Sequence, residues 1–181
     1  MKRSTFEALV AEMEARLTRE DEKKSTGSNG KRMDVLTRDY IMPHGITRKA
    51  DVRCRAAALT DCYWRGKRVE IKTGSGAVAY DTACRFTKED CTAENVLRGV
   101  SMVVWYPFPL VPTFNPFEQG WVFTRAQFIA CLEAIGKNGL QSSLKISKQG
   151  GQINIQTLTA KMQSRLWDVL ENTPTVAEYN W

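Results

Sequence analysis

Val69 and Ile71 alternate with Glu70 and Lys72, and this short run constrains the chain more than any other. A period of two is the signature of a half-buried strand, one face apolar and the other polar. Gly74 and Gly76 follow at once in Gly74-Ser75-Gly76 and stop it. A carboxylate and a lysine two residues apart on a strand share a face. Such a pair suits a site that holds a divalent cation and steadies a water beside it. The plainer alternative is an exposed ion pair worth about 0–1 kcal/mol. The same acid-x-lysine pattern recurs at Asp21-Glu22-Lys23 and Glu22-Lys23-Lys24. Those two lie at the charged end of a helical stretch, where side chains two apart point in different directions.

A chain of 181 residues with 43% hydrophobic content is expected to form one domain with a real core. No apolar run approaches the roughly 20 residues of a membrane span, and Met1-Lys2-Arg3 leads into an acidic amphipathic stretch rather than a signal peptide. A cytoplasmic protein is expected, in the host cytoplasm if the gene is carried by a phage. Five cysteines, Cys54, Cys62, Cys84, Cys91 and Cys131, contain no Cys-x-x-Cys pair. They read as reduced, mostly buried thiols rather than a zinc site or disulfide framework. His44 is the only histidine, flanked by Pro43 and Gly45, and reads as a turn residue. Any metal chemistry therefore rests on oxygen ligands.

The net charge of +6 is concentrated. Arg48, Lys49, Arg53, Arg55, Arg65, Lys67, Arg68 and Lys72 face only Asp51, Asp61 and Glu70 over the same span. Basic residues clustered around an acidic pair fit a polyanionic substrate such as nucleic acid. A solvated basic face with no partner is the competing reading.

Along the chain, Phe6, Leu9, Val10, Met13 and Leu17 predict a helix over 5–20, with Ser4 and Glu7 spaced as a capping box. Residues 21–31 read as a connection, and 32–42 as a short helix. Ala50, Val52 and Cys54 alternate with Asp51, Arg53 and Arg55, predicting a strand; Cys62-Tyr63-Trp64 predicts another, joined through Arg65-Gly66-Lys67 to the Glu70 strand. A helix is expected over 87–98, with Thr87 or Thr92 as cap. Val100–Tyr106 is the most β-prone run and reads as a central strand buried on both sides. Residues 107–120, rich in proline, read as a loop whose Phe108, Phe114 and Phe117 cover the core or meet a partner. Trp121-Val122-Phe123 precedes a helix capped by Thr124 and Gln127, stapled by Phe123 on Phe128, lined by Ile129, Leu132 and Ile135, and stopped by Gly136. A hairpin pairs 144–147 with 152–158 around Lys148–Gly151, and a helix near 160–171 buries Met162, Leu166, Val169 and Leu170 before Pro174. Trp64, Trp105 and Trp121 read as core residues rather than base-stacking platforms.

An acid on an early strand, Asp51, followed by Glu70-Ile71-Lys72 and Gly74-Ser75-Gly76, resembles the PD-(D/E)xK nuclease superfamily over roughly residues 4–106. The resemblance implies an α/β fold of mixed α+β character: a central mixed sheet flanked by helices, with a restriction-endonuclease-like αβββαβ core. Residues 107–181, including the C-terminal hairpin and helix, would elaborate this single domain. It also implies a Mg²⁺- or Mn²⁺-dependent phosphodiesterase. Asp51, Glu70 and the carbonyl of Ile71 would ligate the metal, and Lys72 would orient or deprotonate the attacking water. A helical acid, Glu12, Glu14 or Glu7, would join the site. Ala50 stands where the family pattern has proline, and Asp61 is a rival to Asp51.

Two functions follow from that resemblance. One is a DNA endonuclease or nickase of phage or mobile-element type, monomeric or homodimeric. It would grip DNA through Arg48, Lys49, Arg53, Arg55, Arg65, Lys67 and Arg68. The other is a protein that keeps the nuclease fold as a binding module, like anti-CRISPR proteins that inhibit Cas9 by binding the Cas9–guide RNA complex. Its contact surface would be the basic face, the loop 107–120 or the N-terminal helix.

Overall fold

A computed structural model describes residues 3–16, 33, 36–41, 46–48, 62–73, 77–79, 93–97, 99–108, 110–111, 114–136, 144–147, 150–154 and 159–181. The protein is α+β. Its described elements are α1 (Arg3–Arg16), β1 (Ile46–Arg48), β2 (Cys62–Trp64), β3 (Lys67–Thr73), β4 (Ala77–Ala79), α2 (Ala93–Val96), β5 (Met102–Tyr106), β6 (Trp121–Thr124), α3 (Arg125–Ile135), β7 (Leu144–Ser147), β8 (Gly150–Asn154) and α4 (Ala160–Leu170). Residues 36–41 are also helical.

Five strands make one sheet in the order β1-β2-β3-β5-β6. β1 pairs with β2 and β2 with β3 antiparallel, β3 pairs with β5 in parallel, and β6 returns antiparallel to β5. The sheet is therefore mixed, and its one parallel pair lies at the middle. A parallel pair needs a crossover, and the chain makes it between Thr73 and Met102, a stretch that includes α2.

The β2–β3 connection is set by two residues. Arg65 and Gly66 both take positive φ, 47° and 77°, between the paired residues Trp64 and Lys67. That is a type I′ turn, whose twist matches the strands it joins and which favours glycine at its second position. Every residue of β5 is buried, as its β-branched and aromatic run implies.

Each face of the sheet carries its own core. On one face Val69, Ile71, Met102, Val104, Tyr106 and Val122 pack with Met33, Ile41, Val176 and Trp181. On the other, Val103, Trp105, Trp121 and Phe123 pack with Phe6 of α1, Phe128 and Leu132 of α3, and Leu166 and Trp167 of α4. Residues beyond 106 thus supply a strand of the main sheet and two of the helices covering it. The tail after α4 is equally built in. Trp181 donates from Nε1 to the carbonyl of Val176 at 2.8 Å, and its ring meets Trp64 edge-on at 5.6 Å.

Local patterns explain the helix starts. Gln127 N donates to Thr124 Oγ1 at 3.3 Å and Thr124 N donates to Gln127 Oε1 at 2.9 Å, so the expected capping box forms on α3. Phe123 and Phe128 meet with centroids 5.5 Å apart, and Gly136 is the C-cap. Phe128, Cys131, Leu132 and Ile135 are its buried stripe, with Ile129 partly buried. The Ser4–Glu7 box does not form. α1 already includes Ser4, and the Glu7 carboxylate instead accepts from Arg3 Nε at 2.8 Å one turn back.

The proline-rich loop is held from inside. The buried Gln119 accepts from Val111 N at 2.5 Å and donates to Val111 O at 3.1 Å. Phe108 stacks on Trp167 at 4.9 Å and Phe117 on Tyr40 at 4.1 Å, so these aromatics cover the core. Gly120 must be glycine: a Cβ there would lie 2.3 Å from the Tyr106 ring. The hairpin β7–β8 forms with β8 at Gly150–Asn154, and β4 adds to it as a third strand, a pairing no local pattern announced.

Candidate functional site

Glu70 and Lys72 lie at the centre of the main sheet, on its helix-covered face. In the parallel register Glu70 sits beside Val103 and Lys72 beside Trp105, and both neighbours belong to that face's core. The two side chains meet: Lys72 Nζ is ion-paired with Glu70 Oε1. Val69 and Ile71 are spent on the opposite core. The alternation that defined the strand thus places the charged pair where expected, and it adds a fact the sequence did not carry. The pair is not an exposed cross-strand contact. The Glu70 side chain is 1% exposed and that of Lys72 19%.

Burial changes the energetics. An ionised carboxylate removed from water needs a nearby cation and hydrogen bonds, and breaking such a pair from one side costs far more than breaking a surface pair. Replacing both members by apolar groups is commonly neutral or stabilising. A buried charged pair beside Val103 and Trp105 on this sheet face therefore costs stability that an all-apolar pair would not.

Asp51 and its rival Asp61, together with Lys49, Arg53, Arg55 and Gly74–Gly76, lie outside the described residues. So does His44. Arg48 is on β1, and Glu12 and Glu14 are on α1, with their side chains outside the description. Glu7, the third helical acid, pairs with Arg3. Among the described residues no three His, Cys, Asp or Glu side chains gather as a metal cluster. Glu70 supplies one carboxylate, a hard oxygen donor of the kind Mg²⁺ takes while keeping several waters. What is present fits one side of such a site.

The basic residues of the β2–β3 hairpin divide. Strand alternation puts Arg68 on the face of Glu70 and Lys72, half-buried. Arg65 and Lys67 are exposed at the turn and both lie over the Trp64 ring, 4.9 and 5.4 Å from its centroid. Trp64 itself is in the opposite core, against Tyr179 and Trp181. The three tryptophans expected as core residues are buried, so none is a stacking platform.

Among the described residues the thiols are closed off. Cys62 and Cys131 are buried and reduced, and burial pushes the Cys131 thiol up to about 12, leaving it protonated at neutral pH. Tyr106, hydrogen-bonded to Thr37 Oγ1 at 2.8 Å, is raised above the ordinary phenol range by burial. No described helix is long and apolar enough to cross a membrane.

Searches with the sequence against family models and curated proteins, and with the fold against solved structures, found no match.

Proposed function

We propose that this chain is a divalent-metal-dependent DNA endonuclease or nickase of the PD-(D/E)xK kind, from a phage or mobile element. The observation that carries the reading is the buried Glu70–Lys72 pair on β3, the strand that makes the parallel step to β5. The order of elements supports it: a helix, three antiparallel strands, a crossover containing a helix, then a strand parallel to the third. With β4 and the helical residues 36–41 set aside as additions, this order is in keeping with the αβββαβ succession of a restriction-endonuclease-like core.

In this reading Glu70, Asp51 and the Ile71 carbonyl hold Mg²⁺ or Mn²⁺. The bound ion lowers the pKa of its water and offsets charge developing on the phosphate. Lys72 positions the water and steadies the phosphate oxygens. Arg48, Lys49, Arg53, Arg55, Arg65, Lys67 and Arg68 hold the DNA backbone, and their contribution falls as salt rises.

Supercoiled plasmid incubated with the protein and Mg²⁺ or Mn²⁺ is expected to be nicked or linearised. Lys72→Ala should slow this by roughly 10²–10⁴-fold, the usual effect of losing a positioned proton-handling group. Equal activity of wild type and Glu70→Ala would end the catalytic reading.

The near-complete burial of Glu70 keeps it from a substrate in the resting protein and favours a second, non-catalytic reading, in which the same fold would serve as a binding module against a Cas9–guide RNA complex. Capture of that complex, and inhibition of its cleavage, by a Glu70→Ala, Lys72→Ala variant would place the function in binding.

A further inference from the structure

The two members of the ion pair are not equally placed. Glu70 is sealed at 1% exposure, whereas Lys72 keeps 19% of its side chain in solvent. Its flexible four-carbon stem lets the ammonium move toward water with its charge intact. Glu70 sits mid-strand with the buried Val103 of β5 beside it in register. An ammonium and a divalent cation crowded onto one carboxylate repel each other, an antagonism that grows where water is excluded.

We propose that Lys72 is a displaceable cover on Glu70. It keeps the buried carboxylate charged and compensated in the resting protein, and a hard divalent cation takes Oε1 only by moving the ammonium off it. The inference rests on the metal-dependent reading above and adds an order of events. The cation arrives first, and the lysine it releases is then free for the water and phosphate. Lys72 is thus a competitor of the metal before it becomes its helper.

The test uses the full chain and Mn²⁺ alone, with no DNA. Thermal unfolding is followed across a Mn²⁺ titration for wild type, Lys72→Met and Glu70→Gln. Lys72→Met should melt lower without metal, and should bind Mn²⁺ at least about tenfold more tightly, with a larger rise in Tm. Glu70→Gln should lose the response. In parallel, acylation of wild-type lysines by a water-soluble amine reagent is mapped by mass spectrometry, which needs no variant to fold. Modification of Lys72 should increase several-fold when Mn²⁺ is added. Equal or weaker Mn²⁺ binding by Lys72→Met, or unchanged Lys72 modification, overturns the cover while leaving a metal site that still needs Glu70. A Mn²⁺ response that is missing from wild type, or that survives Glu70→Gln, removes the metal reading itself and the cover with it.

Discussion

The two faces of the five-stranded sheet are built from the same strands and differ in one respect. The face closed by Met33, residues 36–41 and the C-terminal tail is apolar along β3, with Val69 and Ile71 inward. The face closed by α1, α3 and α4 is apolar along β5 and β6, but β3 gives it Glu70 and Lys72, with the half-buried Arg68 beside them. Both faces carry a buried core, so the second holds a charged pair that the first shows to be unnecessary for a closed sheet of this kind. Residues that a fold does not need, placed where they cost stability, point to a task outside folding.

If that contrast is right, substitutions on the two faces must behave differently. Ile71→Ala, on the apolar face, should lose about 2–5 kcal/mol in denaturant unfolding, as buried isoleucine truncations do. The double variant Glu70→Leu, Lys72→Met should keep wild-type stability or gain up to about 1–4 kcal/mol while losing function. A loss comparable to that of Ile71→Ala would make the pair structural and erase the contrast.

Smaller effects sharpen the picture of what closes each face. Thr124→Ala removes the cap of α3, on the charged face, and should cost about 1 kcal/mol with the midpoint shifted and the slope unchanged. On the apolar face the tail turn is held by Glu178. Its carboxylate lies below the ordinary glutamate range because Thr175 N donates to it at 3.0 Å and Thr175 Oγ1 at 2.8 Å. A carboxylate with a depressed pKa stabilises the fold above the ordinary glutamate value, near about 4.3, and loses that contribution as pH falls through its lower folded value. Glu178→Gln should therefore be less stable than wild type at neutral pH, by at most about 0.5 kcal/mol for so exposed a group. The difference should vanish in acid.

What the sequence revealed follows the range of the interactions. The Thr124–Gln127 box, the Arg65-Gly66 turn and the alternation of β3 are all decided within a few residues, so they could be read directly. Glu7 shows the limit of such patterns: the Ser-x-x-Glu spacing was present, but an Arg3 one turn away takes the carboxylate. Trp167 was missed because Met162, Leu166, Val169 and Leu170 already complete a helical stripe, yet Phe108, Phe6 and Trp121 gather around it. The pairing of β4 with β8 and the seating of Trp181 against Trp64 join residues more than 70 and 100 positions apart. No local periodicity encodes those contacts.

The site divides in the same way. That Glu70 and Lys72 share a face follows from a period of two; that the carboxylate is sealed and the lysine is not is set by tertiary packing. The basic cluster looked continuous from Arg48 to Lys72. Pleating instead sends Arg68 to the face of Glu70 and seats Arg65 and Lys67 over Trp64, at the rim of the other.

A crystal of the protein soaked in Mn²⁺ and measured at a wavelength where manganese scatters anomalously tests the central claim most directly. The account predicts a manganese peak about 2.1 Å from a Glu70 carboxylate oxygen, with Lys72 Nζ moved off that oxygen. Manganese bound elsewhere, with Glu70 and Lys72 still paired, would contradict it.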